Sequence, residues 1–187
     1  RIQRALAFDG DGDVQIPYNA EFECGSGDGT VEALIYLTHA SAQNQTIFSL
    51  GYDSTWVCYA FMANGAGDSL LFWNGTATLN WPVPSLIGRR PHVAFVIDDF
   101  VNITPYVNGQ PLDTKVQTAF GPGGAPAFIG ALGAAYGWAG TIGELAVYKS
   151  ALSPSAIQAH YTKYVYGTTV APPEIVTQTT GPRTLFA

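Results

Sequence analysis

The chain reads as short apolar runs interrupted by turn residues. Between Thr30 and Leu37, Val31, Ala33 and Ile35 alternate with Glu32, Leu34 and Tyr36. That period of two predicts a strand with two distinct faces. Further strand-forming runs cover 46–50, 55–62 and 69–73, separated by Gly51-Tyr52-Asp53-Ser54 and Asn64-Gly65-Ala66-Gly67-Asp68. Asn74-Gly75 predicts a tight turn. Residues 92–97 form the next run, closed by Asp98-Asp99. The run 103–107 follows, ending at Asn108-Gly109, the strongest hairpin signal in the chain. Segments 127–129 and 141–148 complete the strands. One helix is expected, and it comes late. Ser153 can cap it, Pro154 suits its first position, Ile157, Tyr161 and Tyr164 share a face, and Gly167 ends it. Roughly ten short antiparallel strands with so little helix predict an all-β, two-sheet sandwich. In the 92–97 run both Val93, Phe95, Ile97 and Ala94, Val96 are apolar. One face must meet the opposing sheet, and the other must be covered by loops or a neighbour. From Thr168 onward the text is Thr, Pro and Val, with Pro172-Pro173 favouring an extended path. The expected organisation is therefore a sandwich over 1–167 and an extended C-terminal arm over 168–187.

Composition narrows the functional classes. The chain has 187 residues, the size of one domain, with 8 Lys and Arg against 14 Asp and Glu, a net charge of -6. Nucleic-acid binding is excluded on this ground, because phosphate neutralisation needs clustered cations. A hydrophobic share of 47% excludes a disordered chain. A charged share of 12%, about half the usual, implies that some apolar surface is covered by a partner. No apolar stretch approaches the roughly 18 residues of a membrane span. The chain opens at Arg1 rather than Met, as expected of a processed or trimmed polypeptide. Cys24 and Cys58 are the only cysteines, and either a disulfide or two small buried hydrophobes would account for them.

Four segments resemble the laminin G-like branch of the concanavalin A-like jelly rolls. They are Ala5–Gly10 followed by Asp13–Pro17, then Thr30–Tyr36, then His92–Phe95 leading to Tyr106–Gln110, and finally Gly140–Tyr148 with Ala151–Pro154 and Ile157. The resemblance spans residues 5–164 and implies a jelly-roll sandwich with one short C-terminal helix. It implies no single function, because this fold hosts lectins, adhesion modules, hydrolases and virion parts. Two positions depart from the family pattern. Arg90-Pro91 stands where a Trp is usual, and Gly143 stands where an Asp precedes the closing-strand Glu. The second removes one aspartate that can ligate a structural calcium in such domains.

Candidate chemistry follows from residue types. Seven acids fall in the first 32 residues, among them the run Asp9, Asp11, Asp13 with glycines between. Calcium takes six to eight oxygens, and such a turn is a candidate site; the plainer alternative is a solvated acidic turn. A glycoside hydrolase needs two opposed carboxyl groups, and the Glu-x-Asp-x-x-Glu string of laminarinase relatives does not occur. Glu32 and Glu144 are lone strand acids, so an enzyme is not expected. Binding by ring stacking is the leading expectation: Trp138, Tyr136, Trp81, Trp73 and Trp56 supply flat faces, and Asn80, Asn74 and Asp53 beside them can hydrogen-bond hydroxyls. Each aromatic has core burial as its competing fate. Trp138 leads, because its Gly-Ala surroundings carry no strand pattern, and Trp81 beside Pro82 is second. The expected role is a non-catalytic recognition or adhesion module on a cell or virion surface, binding glycan or protein. The alternative is an assembly subunit, such as a virion decoration or fibre protein, self-associating through 168–187, whose Val170, Ile175, Val176, Leu185 and Phe186 can add to a sheet edge.

Overall fold

A computed structural model describes residues 5–22, 27–51, 59–117, 120, 124–133 and 135–167. Cys24 and Cys58, the candidates Asp53 and Trp56, and the 168–187 arm all lie outside the described residues. The strands are β1 (Ala5–Asp9), β2 (Val14–Ile16), β3 (Gly29–Leu37), β4 (Gln45–Leu50), β5 (Tyr59–Ala63), β6 (Ser69–Trp73), β7 (Thr78–Pro82), β8 (His92–Asp98), β9 (Asn102–Val107), β10 (Gln110–Pro111), β11 (Lys115–Val116), β12 (Ala127–Ile129) and β13 (Ala139–Tyr148), followed by helix α1 (Pro154–Tyr166). They pair antiparallel into two sheets. One runs β1-β13-β3-β8-β9-β10, with β11 also on β9; the other runs β2-β12-β4-β5-β6-β7. The chain changes sheet between β1 and β2, β2 and β3, β3 and β4, β7 and β8, β11 and β12, and β12 and β13, as a jelly-roll sandwich requires.

The alternation read from the sequence sets the faces. Val31, Ala33 and Ile35 of β3 point into the core, as do Val93, Phe95 and Ile97 of β8. From the opposite sheet come Phe48, Leu50, Tyr59, Phe61, Leu70 and Phe72. Phe61 of β5 stacks on Phe95 of β8 with ring centroids 4.3 Å apart, tying the layers together. Rings of this size bury large apolar areas, and each close pair adds about 0.5–1.5 kcal/mol beyond burial. The Asn108-Gly109 turn forms as its residues dictate, with φ values of 51° and 77°.

The outer face of the β8 sheet is closed by α1. Ser153 caps the helix by accepting from the Ala156 amide, and Gly167 ends it at φ 64°. Ile157 is fully buried against Ala94, Val96 and Tyr106. These are the outward-facing apolar residues that the sequence left in need of cover. The chain's own helix supplies that cover, where the sequence left loops or a neighbour to do so.

Beneath α1 lies a buried polar cluster. Glu32 points outward from β3 and is wholly buried. Its carboxylate receives the Tyr148 hydroxyl at 2.8 Å, His92 Nε2 at 3.2 Å and His160 Nδ1 at 2.9 Å. An ionised carboxylate only accepts, so all three groups donate to it. Burial pushes the Glu32 carboxyl up, but the His92 hydrogen bond, the charges of His160 and His92 and the Tyr148 hydroxyl together hold it below its ordinary value. Tyr148 is pushed far up, first by burial and then by the adjacent Glu32 charge. One acid thus binds residues of β8, β13 and α1 to β3.

Candidate functional site

Three sheet-changing connections meet at one end of the sandwich: the β1–β2 turn, the β3–β4 loop and the β12–β13 loop. Between them lies a pocket of about 500 Å³, lined by Asp11, His39, Ser41, Gln43, Asn44 and Tyr136 among others. Buried Gln45 organises it from beneath. Its Nε2 donates to the His39 carbonyl at 3.2 Å, and its Oε1 accepts the Ala139 amide at 3.0 Å. One side chain thereby locks the β3–β4 loop to the start of β13. Two glycines let backbones meet here. A Cβ on Gly137 would overlap the Gly10 carbonyl, and a Cβ on Gly65 would overlap the Ser41 carbonyl. The β5–β6 turn therefore packs on the β3–β4 loop, joined by the bond from Ser41 N to Gly65 O at 2.8 Å.

Tyr136 is the unusual residue. Its φ is 56°, in the left-handed region, which is uncommon for a bulky side chain and costs on the order of 1–3 kcal/mol. The surrounding bonds over-determine it. The Tyr136 carbonyl accepts Thr46 N at 2.8 Å, Leu132 and Ala135 exchange backbone bonds, and Trp138 N donates to Gly130 O at 2.7 Å. The Tyr136 ring is half-buried and packs, with Leu132, on Ala60, Met62 and Leu71 of β5 and β6. That cluster is the outward face of the β5 sheet, so the loop partly covers it. Tyr136 stands where this apolar face meets the polar pocket.

The structure separates the other candidates. Trp73 is half-buried at the far side of the same apolar cluster. Asn80 is exposed, and it pairs with Leu71 and so shares that outward face. Tyr136, Trp73 and Asn80 are thus brought to one surface. Trp138 is not: it is 0% exposed and donates from Nε1 to the Tyr36 carbonyl at 3.2 Å. Trp81 is 2% exposed; its indole N–H is spent on the Asp113 carbonyl, and Lys115 lies over its ring. Neither indole has a face open for stacking, so both are core residues rather than platforms. Asn74 is likewise buried, and its Oδ1 accepts Thr76 N and Ala77 N at 2.9 Å and 2.7 Å. It builds a turn.

The acidic run is also corrected. Asp9 Oδ1 turns back to accept Asp11 N at 3.1 Å and Gly12 N at 3.3 Å. These amide bonds hold its carboxyl below the ordinary carboxylate range. Among the described residues, no group of three His, Cys, Asp or Glu side chains is placed to hold a metal ion. Asp9, Asp11 and Asp13 do not converge as a calcium site, because the first is committed to its own turn. Asp11 instead reaches the rim pocket. His39, Gln43 and Asn44 were not singled out as binding residues; the available signal was the wholly polar or small stretch from Thr38 to Asn44 between two strands.

Residues 8–158 match the family model described as the concanavalin A-like lectin/glucanases superfamily. Among solved structures, the chain is similar to a sialidase module of Ruminococcus gnavus, CBM40, bound to α2,3 sialyllactose (TM-score 0.61, 19% identity, 84% of this chain and 98% of that one). It is also similar to domain 4 of AbnA, an extracellular arabinanase of Geobacillus stearothermophilus, in complex with arabinotriose (TM-score 0.62, 18% identity, 83% and 75%). A third is a heptameric SAP-like pentraxin of Limulus polyphemus (TM-score 0.58, 17% identity, 82% and 79%). At these identities the likeness is one of fold. No curated protein sequence matches the chain.

Proposed function

The chain belongs to the concanavalin A-like lectin/glucanases superfamily, and from that premise we propose that it is a non-catalytic glycan-binding module acting on an exterior surface, with its site at the rim pocket around Tyr136. The observation that carries this reading is the strained Tyr136 backbone beside a pocket of short polar side chains. Strain that the surroundings hold in place is a reason to look for function. A half-buried ring next to amides, a hydroxyl and a carboxylate is what a saccharide needs: an apolar face to stack on and edge groups for its hydroxyls. Trp73 and Asn80 extend the surface for a longer chain. Two solved relatives of the fold hold saccharides, in keeping with the reading. The buried Glu32 does not enter it, because three donors and α1 enclose it on the other sheet.

The test is titration calorimetry of the full chain against saccharides found on a glycan array, for wild type, Tyr136→Ala and Asn44→Ala. The reading expects each substitution to weaken binding at least tenfold with the fold intact by circular dichroism. Binding unchanged in both variants would place the site elsewhere. A second reading has one specific observation behind it. β1 is an edge strand whose residues Ala5, Leu6 and Ala7 are exposed and uncharged, and such an edge can accept an added strand. Residues 168–187, from a second copy, are the occupant proposed for the assembly role. Size-exclusion chromatography of the chain and of a version ending at Gly167 decides it: equal monomeric elution of both removes the assembly reading.

A further inference from the structure

The rim pocket's chemistry points to the charge class of its ligand, an inference that rests on the glycan-binding reading above. We infer that the site selects neutral saccharides and rejects those bearing carboxylate or sulfate. An anion in a protein site is held by guanidinium or ammonium groups, or by backbone amides converging on it. Among the described residues, the pocket lining contains no Lys or Arg, and it contains the Asp11 carboxylate. Three of the described cations are engaged elsewhere. Arg90 lies over the Tyr36 ring in a separate groove, Lys115 over Trp81, and Lys149 donates to the Ala20 carbonyl.

Several backbone amides around the pocket are also spent. Asp11 N and Gly12 N donate to Asp9 Oδ1, and Gln43 N donates to Ser41 Oγ. Ala139 N donates to Gln45 Oε1. Ser41 N, Thr46 N, Ala135 N and Trp138 N all donate to backbone carbonyls. No nest of amides remains among these to replace the missing cations. The lining side chains that remain, Asp11, Ser41, Gln43 and Asn44, suit neutral hydroxyls, which donate and accept equally well. The Asp11 carboxylate can accept from two adjacent hydroxyls of one ring, and it repels an acid placed there. The three aspartates of the β1–β2 turn and the net charge of -6 act in the same sense.

The experiment uses matched probes: galacto-, manno-, xylo- and gluco-oligosaccharides against oligogalacturonate, glucuronate-bearing, sialylated and sulfated counterparts. All probes are compared at one pH and one ionic strength. Wild type, Asp11→Asn and Tyr136→Ala are compared in full-length form. The expected result is binding of neutral chains, at least tenfold weaker binding of each acidic counterpart, and a narrowing of that ratio by threefold or more in Asp11→Asn. An acidic saccharide bound as tightly as its neutral match, and lost in Tyr136→Ala, overturns the charge selectivity while leaving the site in place. Binding that ignores Tyr136→Ala, or no binding of any probe, overturns the site itself and the selectivity with it.

Discussion

Replacing Glu32 by Gln tests how the helix is held. The substitution keeps the size of the side chain and one carbonyl oxygen for the Tyr148 hydroxyl. It removes the charge and turns an amide N–H toward ring nitrogens that already donate. Two hydrogen bonds to a charged acceptor, from His92 and His160, are lost. Each such bond is worth about 1.5–3 kcal/mol, and breaking one side of a buried ionic group costs about 3–5 kcal/mol. The expected loss at pH 7 is therefore about 3–5 kcal/mol, or about 6–20 °C in melting midpoint for a domain of this size. Urea unfolding followed by tryptophan fluorescence measures it. The pH dependence supplies a second reading. The folded Glu32 carboxyl titrates below its ordinary value of 4.5, so the unfolded state takes up its proton first as pH falls. Its contribution is full above that ordinary value and fades as acid approaches the folded value. Glu32→Gln has no such acid limb, so the two stabilities must converge on acidification. A loss under about 1 kcal/mol at pH 7, set against the 3–5 of a buried ionic contact, would refute the reasoning. So would a gap that stays constant as the pH falls.

Three further outcomes follow from the packing. Trp138→Ala should destabilise the fold by about 3–5 kcal/mol, measured by the same unfolding curves, because the ring is fully buried and its N–H is bonded; a loss below 1 kcal/mol would mean the ring is not core. Gly137→Ala should cost roughly 1–3 kcal/mol and deform the rim, since the new methyl meets the Gly10 carbonyl; an unperturbed amide spectrum for residues 10–12 and 39–45 would contradict the close packing. Melting with and without EDTA should give one midpoint, because Asp9 is committed to its own turn; a drop on chelation would restore the calcium site.

Much of the fold was legible because local rules agreed with the global arrangement. The alternation over Thr30–Leu37 sorted core from outer face correctly, even to the detail that Glu32 points away from the core. The helix boundaries were written in Ser153, Pro154 and Gly167. The tryptophans were misread for identifiable reasons. Pro82 made 78–82 look unlike a strand, yet β7 is an edge strand, where a proline at the end removes no needed bond. Leu79 and Trp81 alternate inward there. The small residues before Trp138 looked like a loop, but Gly137 is small because the Gly10 carbonyl passes close by. β13 begins at Ala139, so Trp138 enters the core one residue before it. The rim pocket was half legible. Tyr136 and Asp11 were singled out separately and for different chemistry, and only the meeting of three crossovers puts them together.

Ala5 and Val165 border the same groove, so the first strand and the last helix of the described residues meet at a single corner. A host protein could splice this unit between two of its own segments without stretching either join, and the rim pocket, off the Gly10 end of β1, would remain turned outward. Tension between the two joins would not cross the sandwich. It would peel the Ala5–Asp9 ribbon from its neighbour rung by rung, so the unit would yield early under traction while its interior stayed closed.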